Sequence, residues 1–142
     1  MMHSVQVFGA AKAQGSKRAI PYTGKDGKQH AAVIESAGED LHSWRYAVAE
    51  KVRTLGVPMI PSGPVELHIT FYLPRPKSRK HDVHHSTRPD VDKLTRAVMD
   101  AMKTGGAYKD DGQVARKVVE KLFEVYPDAP VCALIGWEAM AR

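Results

Sequence analysis

Four aspartates in a basic chain carry the chemistry that the sequence offers. Asp90 and Asp92 are spaced i, i+2, and Asp110 and Asp111 are adjacent, so four carboxylates fall within 22 residues. The whole 142-residue chain has 21 Lys+Arg against 16 Asp+Glu, a net charge of +5. Hard oxygen ligands of this kind hold Mg²⁺, which takes one or two carboxylates and completes its shell with water and substrate phosphates. Such ions orient a water and stabilise the leaving oxygen in phosphodiester hydrolysis. Each aspartate also has an ordinary use. An acid at a helix start caps the first turn and suits the helix dipole, and Asp-Asp-Gly is a common turn. One aspartate would serve as a cap, however, and here there are two. Directly before them, Arg75–Arg88 holds Arg75, Lys77, Arg79, Lys80 and Arg88 with three histidines and no apolar periodicity. That reads as an exposed, mobile loop able to contact phosphates and position a nucleic-acid backbone.

The elements that must position these residues follow from periodicity. Leu41, Trp44, Val48, Val52 and Leu55 form one face of an amphipathic helix that ends at Gly56. Val65–Leu73 alternates apolar and polar residues between prolines and is a half-buried strand. After Pro89, Val91, Leu94, Val98 and Ala101 line one side of a second helix, which Gly105-Gly106 stops. Gln113–Tyr126 and Val131–Glu138 read as strands joined by a short Pro-rich link, an expected antiparallel hairpin. Near the N-terminus, Val5–Phe8 is a short strand. Gly9–Gln29 reads as a long basic loop, crossed by a brief strand around Ala19–Tyr22. The expected fold is α+β: a single mixed, largely antiparallel sheet with two main helices packed on one face, one domain over residues 1–142.

Geometry constrains the carboxylates. From Asp92 to Gly105 the helix rises about 20 Å. The six residues back to Asp111 span at most about 20 Å fully extended. Asp111 rejoins Asp92 only if the turn is nearly straight or the helix ends early; otherwise the third acid comes from elsewhere, such as a second subunit.

Composition narrows the class. Hydrophobic residues at 43% and charged residues at 26% are ordinary for a soluble globular protein and exclude wholesale disorder. No apolar run approaches a membrane span, and the N-terminus shows no basic flank followed by an apolar stretch, so a cytoplasmic setting without membrane association is expected. A single cysteine, Cys132, excludes an intrachain disulfide and any zinc site built on cysteine pairs.

The run Arg-Pro-Asp-Val-Asp-Lys-Leu, then Arg-Ala-Val-Met-Asp-Ala-Met and Tyr-Lys-Asp-Asp-Gly-Gln-Val, resembles the RusA family of Holliday junction resolvases. The motif match covers residues 88–114, the order of elements agrees along the chain, and Gly15-Ser16-Lys17-Arg18 resembles phage-type members. The resemblance implies a homodimeric, Mg²⁺-dependent endonuclease, also served by Mn²⁺, that nicks four-way DNA junctions symmetrically in recombination and repair. It makes Asp90, Asp92 and Asp111 the metal-binding catalytic carboxylates, and Asp100 and Asp110 match further acidic positions. Two positions depart from the pattern: Lys93 stands where the family often has Asn, and Arg96 where it often has Lys. Arg96 keeps the charge and with it a role in the transition state, though not a point-like ammonium. Lys17, Arg18, Lys77, Arg79, Lys80, Arg88, Lys93 and Lys109 are the expected nucleic-acid contacts.

Two other readings remain open on sequence: a non-catalytic basic nucleic-acid-binding module, and a nuclease of the same fold acting on flaps or forks. His81, His84 and His85 lack a neighbouring cysteine and read as a solvated stretch rather than a zinc site. Trp44, Trp137 and Cys132 read as core residues. Tyr108 is expected to pack beside the Gly-Gly turn rather than stack on a base.

Overall fold

The structure is a computed structural model that describes residues 2–15, 17–35, 38–125 and 130–142, with backbone alone at 17–20, 31–35 and 38. In chain order it contains β1 (His3–Phe8), β2 (Lys17–Thr23), β3 (Gln29–Glu35), α1 (Gly38–Leu55), β4 (Val65–Leu73), α2 (Val91–Gly105), a 3₁₀ turn (Asp111–Gln113), β5 (Val114–Phe123) and β6 (Cys132–Ala139). The main sheet has the order β1-β6-β4-β5. β6 runs antiparallel to both β1 and β4, whereas β4 and β5 are parallel. The fold is therefore α+β with a mixed, mostly antiparallel sheet.

The expected β5–β6 hairpin does not form, because β4 lies between the two strands. A parallel pair needs a crossover, and α2 supplies it between β4 and β5. Composition decides which strand takes the edge. β5 carries Arg116, Lys117, Glu120 and Lys121 and can face solvent, while β6 brings Ala133, Ile135 and Trp137 into the core.

The long basic loop is also corrected. From Lys17 onward it is a second, two-stranded sheet in which β2 pairs with β3 in antiparallel register. Gly24–Lys28 closes it. Gly27 has φ +76°, and Asp26 Oδ1 accepts from Lys28 N at 2.9 Å, the side-chain turn that Asp favours.

One core holds the main elements together. Val65, Leu67, Ile69, Phe71 and Leu73 of β4 are buried with Leu41, Trp44, Val48 and Val52 of α1 and Leu94, Ala97, Val98, Ala101 and Met102 of α2. Trp137, Tyr108 and Cys132 are buried as expected. Leu55 is not; it stands exposed where Gly56, at φ +72°, ends α1. The two helices approach closely at Gly105, where a Cβ would meet Ala49 O at 2.6 Å. Gly106 then takes the left-handed cap conformation at φ +87°, and its N–H bonds Lys103 O. The paired glycines thus have separate jobs, and together they turn the chain back along α2.

Candidate active site

Asp90 occupies the N-cap position of α2, yet its side chain bonds no N–H of the first turn. Its backbone carbonyl accepts from Leu94 N at 3.1 Å, so the helix begins there without using the carboxylate. Asp90 Oδ2 lies 3.9 Å from Lys93 Nζ, and Asp92 Oδ2 lies 3.7 Å from Arg96 Nη2. Both aspartates are exposed. The first turn of α2 therefore presents two carboxylates, each paired with a cation one turn further on.

The second aspartate pair is built differently. Asp110 caps the 3₁₀ turn and accepts from Gly112 N at 3.2 Å. Gln113 completes a capping box and does more. Its Oε1 accepts from Lys109 N and Asp110 N, both at 2.9 Å, and its Nε2 donates to Ile60 O and Gly63 O at 3.1 and 3.2 Å. All the bonding capacity of the amide goes into fastening this turn to the 60–63 segment. Sequence reasoning passed over Gln113, although Asp110-x-x-Gln113 spells the capping-box spacing.

With Asp110 occupied as a cap, Asp111 is left facing Asp100. Burial raises its pKa first, and the neighbouring Asp100 charge raises it further, against a lowering by Lys103. Among the described residues, Asp111 Oδ1 is buried without a hydrogen-bond partner of good geometry. The adjoining Tyr108 hydroxyl donates to Met99 O at 3.1 Å, and burial together with the Asp111 and Asp100 charges pushes its pKa up. Arg45 Nη1 approaches Asp100 Oδ2 at 3.7 Å, and Lys103 Nζ approaches Asp110 Oδ1 at 3.6 Å. Within one chain the structure thus joins Asp111 to Asp100. Asp92 lies eight residues earlier on α2, a rise of about 12 Å. No group of three His, Cys, Asp or Glu side chains able to hold a metal forms among the described residues.

The donor chemistry nevertheless fits a hard divalent cation. All the candidate ligands are carboxylate oxygens, and a buried carboxylate oxygen without a partner is an uncompensated polar atom that a cation would satisfy.

The cations expected to meet DNA differ in how they are held. Lys77, Arg79, Lys80, Arg88 and Lys109 are exposed, although Arg79 Nη1 also lies 3.2 Å from Asp82 Oδ2. Lys17 and Arg18 lie in β2, and their side chains fall outside the described residues. Arg75 is structural. Its Nη1 donates to Arg79 O and Asp82 O at 2.6 and 2.7 Å, its Nε donates to Glu124 O at 3.1 Å, and it sits 5.2 Å over the Phe123 ring. Residues 75–82 are therefore folded around one guanidinium that also bonds Glu124 O. Of its histidines, His85 packs on Phe123 at 4.8 Å, and burial lowers its pKa. A cleft of about 590 Å³ lies beside the start of α2, lined by Lys12, Arg75, His85, Arg88 and Pro89 among others.

The first turn of α2 thus sets carboxylates beside cations on a chain of net positive charge. The chain belongs to the RusA endodeoxyribonuclease family, whose family model matches residues 16–131. None of the curated proteins matches it. No helix among the described residues is long and apolar enough to cross a membrane.

Proposed function

We propose that this endodeoxyribonuclease resolves four-way DNA junctions by paired symmetric nicks, in DNA recombination and repair. It does so as a homodimer dependent on Mg²⁺ or Mn²⁺. Each site combines Asp90 and Asp92 of one protomer with Asp111 of the partner subunit, in a single domain spanning residues 1–142. The observation that carries this reading is the state of Asp111. Among the described residues its buried Oδ1 is left without a hydrogen-bond partner, and it stands with Asp100, about two turns of α2 from the exposed Asp90–Asp92 pair. A two-fold substrate calls for a two-fold enzyme.

The divalent ion would be held by Asp90, Asp92 and Asp111, and when bound it supplies water activation and charge neutralisation at the scissile phosphate. The protein's own groups do the rest. Arg96, 3.7 Å from Asp92, brings a permanent positive charge to the carboxylates and stabilises charge developing on phosphate oxygens. Lys93 is placed similarly beside Asp90. Lys77, Arg79, Lys80, Arg88 and Lys109, with Lys17 and Arg18, contact flanking phosphates and set the register of the junction arms.

A gel assay with labelled four-way junction, flap, fork and linear duplex tests this, with Mg²⁺ and with EDTA, for wild type and Asp92→Asn. Metal-dependent paired nicks confined to the junction and absent from the variant are expected. Binding without cutting in either protein overturns the catalytic reading, and preferential cutting of flaps or forks overturns the junction assignment.

A further inference from the structure

The edge of β5 that faces away from β4 is covered by the chain on its way into α2. Phe123 N donates to Val83 O at 3.0 Å and His85 N donates to Lys121 O at 2.9 Å, so residues 83–85 run along β5 as a short strap. His84 pairs with Leu122 in an antiparallel bridge, and the His85 ring packs on Phe123. Among the described residues, backbone pairing of the strap with β5 stops there. The Lys121 side chain takes over, its Nζ donating to Thr87 O at 2.6 Å and to Pro89 O at 2.8 Å. Pro89 has no N–H to donate to a ladder, and its carbonyl is held here by a side-chain donor.

Asp90 follows immediately. The peptide oxygen before its Cα is held by Lys121, and the oxygen after it accepts from Leu94 N at 3.1 Å. Two peptide planes anchored on either side of one Cα fix the direction of its Cα–Cβ bond. We propose that Lys121 is a positioning residue of the nuclease site, aiming Asp90 and the first turn of α2 by clamping the two carbonyls that precede them. This role rests on the nuclease reading given above. It differs from a phosphate contact, which an exposed lysine on an edge strand would ordinarily suggest, because the ammonium is already committed to two carbonyl acceptors.

Lys121→Met, Lys121→Gln and Lys121→Arg test the assignment. Four quantities are measured for each: the melting temperature, junction affinity across a salt series in EDTA, the single-turnover cutting rate across a Mg²⁺ series, and Mn²⁺ binding to the DNA-free protein. Groups that orient metal ligands typically contribute about 10–100-fold in metal affinity or activity. Lys121→Met is expected to cut about 10–100-fold more slowly, need more Mg²⁺ for its half-maximal rate and bind Mn²⁺ more weakly. Its junction affinity and salt slope stay those of wild type. Lys121→Arg restores part of the rate, because a cationic donor again reaches the strap. A salt slope reduced by about one, with lost affinity, makes Lys121 a phosphate contact and overturns the proposal. Wild-type cutting and Mn²⁺ binding in Lys121→Met overturn it as well. Failure of both Lys121→Met and Lys121→Gln to fold assigns the residue to structure alone. A wild type that cuts no junction removes the nuclease reading and this role together.

Discussion

The two aspartate pairs look alike in sequence and are opposite in physical state. Asp90 and Asp92 are both exposed, neither caps the helix they begin, and each lies within reach of a cation one turn on. In the other pair the neighbours divide the work. Asp110 is a satisfied cap, and Asp111 lies beside Asp100 with one oxygen unpaired among the described residues. A carboxylate that has found a backbone N–H is spoken for. One that has not, whether because it is exposed or because it is buried and orphaned, is available to a ligand.

Charge-removing substitutions break this comparison most sharply. Asp90→Asn, Asp92→Asn and Asp111→Asn should each lower junction cutting by about a thousandfold or more, since the ion's chemistry is lost with its ligand. Junction binding should persist or tighten as repulsion toward phosphate falls. Asp110→Asn should leave cutting within about threefold of wild type, because Asn caps as well as Asp. Single-turnover rates on a labelled junction check all four, and equal losses at Asp110 and Asp111 would erase the distinction.

Removing two exposed cations, Lys77→Ala with Lys80→Ala, should weaken junction binding about tenfold at moderate salt and reduce the salt slope by about two. A titration across salt concentrations reads it, and an unchanged slope would take this segment off the DNA.

Mixing Asp92→Asn protein with Asp111→Asn protein sharpens the comparison further. If the pairs meet across a two-fold axis, half of randomly mixed dimers are heterodimers and one of their two sites is intact. About a quarter of wild-type sites then return, as single rather than paired nicks. Sites complete within one chain would restore nothing.

The smallest effect is on stability. The folded Asp111 titrates above its unfolded value, so its ionised form opposes folding at neutral pH. That cost is present above the folded pKa and vanishes once the residue is protonated in both states. Asp111→Asn should therefore raise the melting temperature of the metal-free protein at pH 7, on the order of 2 °C, and the gain should fade below about pH 4. Melting curves in EDTA at the two pH values check it. Asp110→Asn should show no comparable gain.

Much of the fold was legible because it rests on local periodicity. β4 has the span expected from alternation, Val65–Leu73, and α2 ends where Gly105-Gly106 requires. The hairpin β2–β3 was obscured because glycines and lysines in its turn made the whole stretch resemble a loop, although Gly24-Lys-Asp-Gly is itself a turn signal. The partner of β6 was not legible. A short link between two strands suggests a hairpin, and only the competition for the centre of the sheet shows that β4 intervenes.

For the site, the acids could be nominated from their types and spacing, and the reach of the chain after α2 already questioned whether Asp111 could rejoin Asp92. The sequence determined the carboxylates, their cationic neighbours one helical turn away and the glycine stop, because these depend on residue type and a period of a few residues. The tertiary structure alone decided that Asp111 stands with Asp100, that Arg75 is consumed in holding its own segment, and that Lys121 grips the approach to Asp90. Those outcomes depend on which groups remain without a partner once helices and strands have packed, and no local pattern records that.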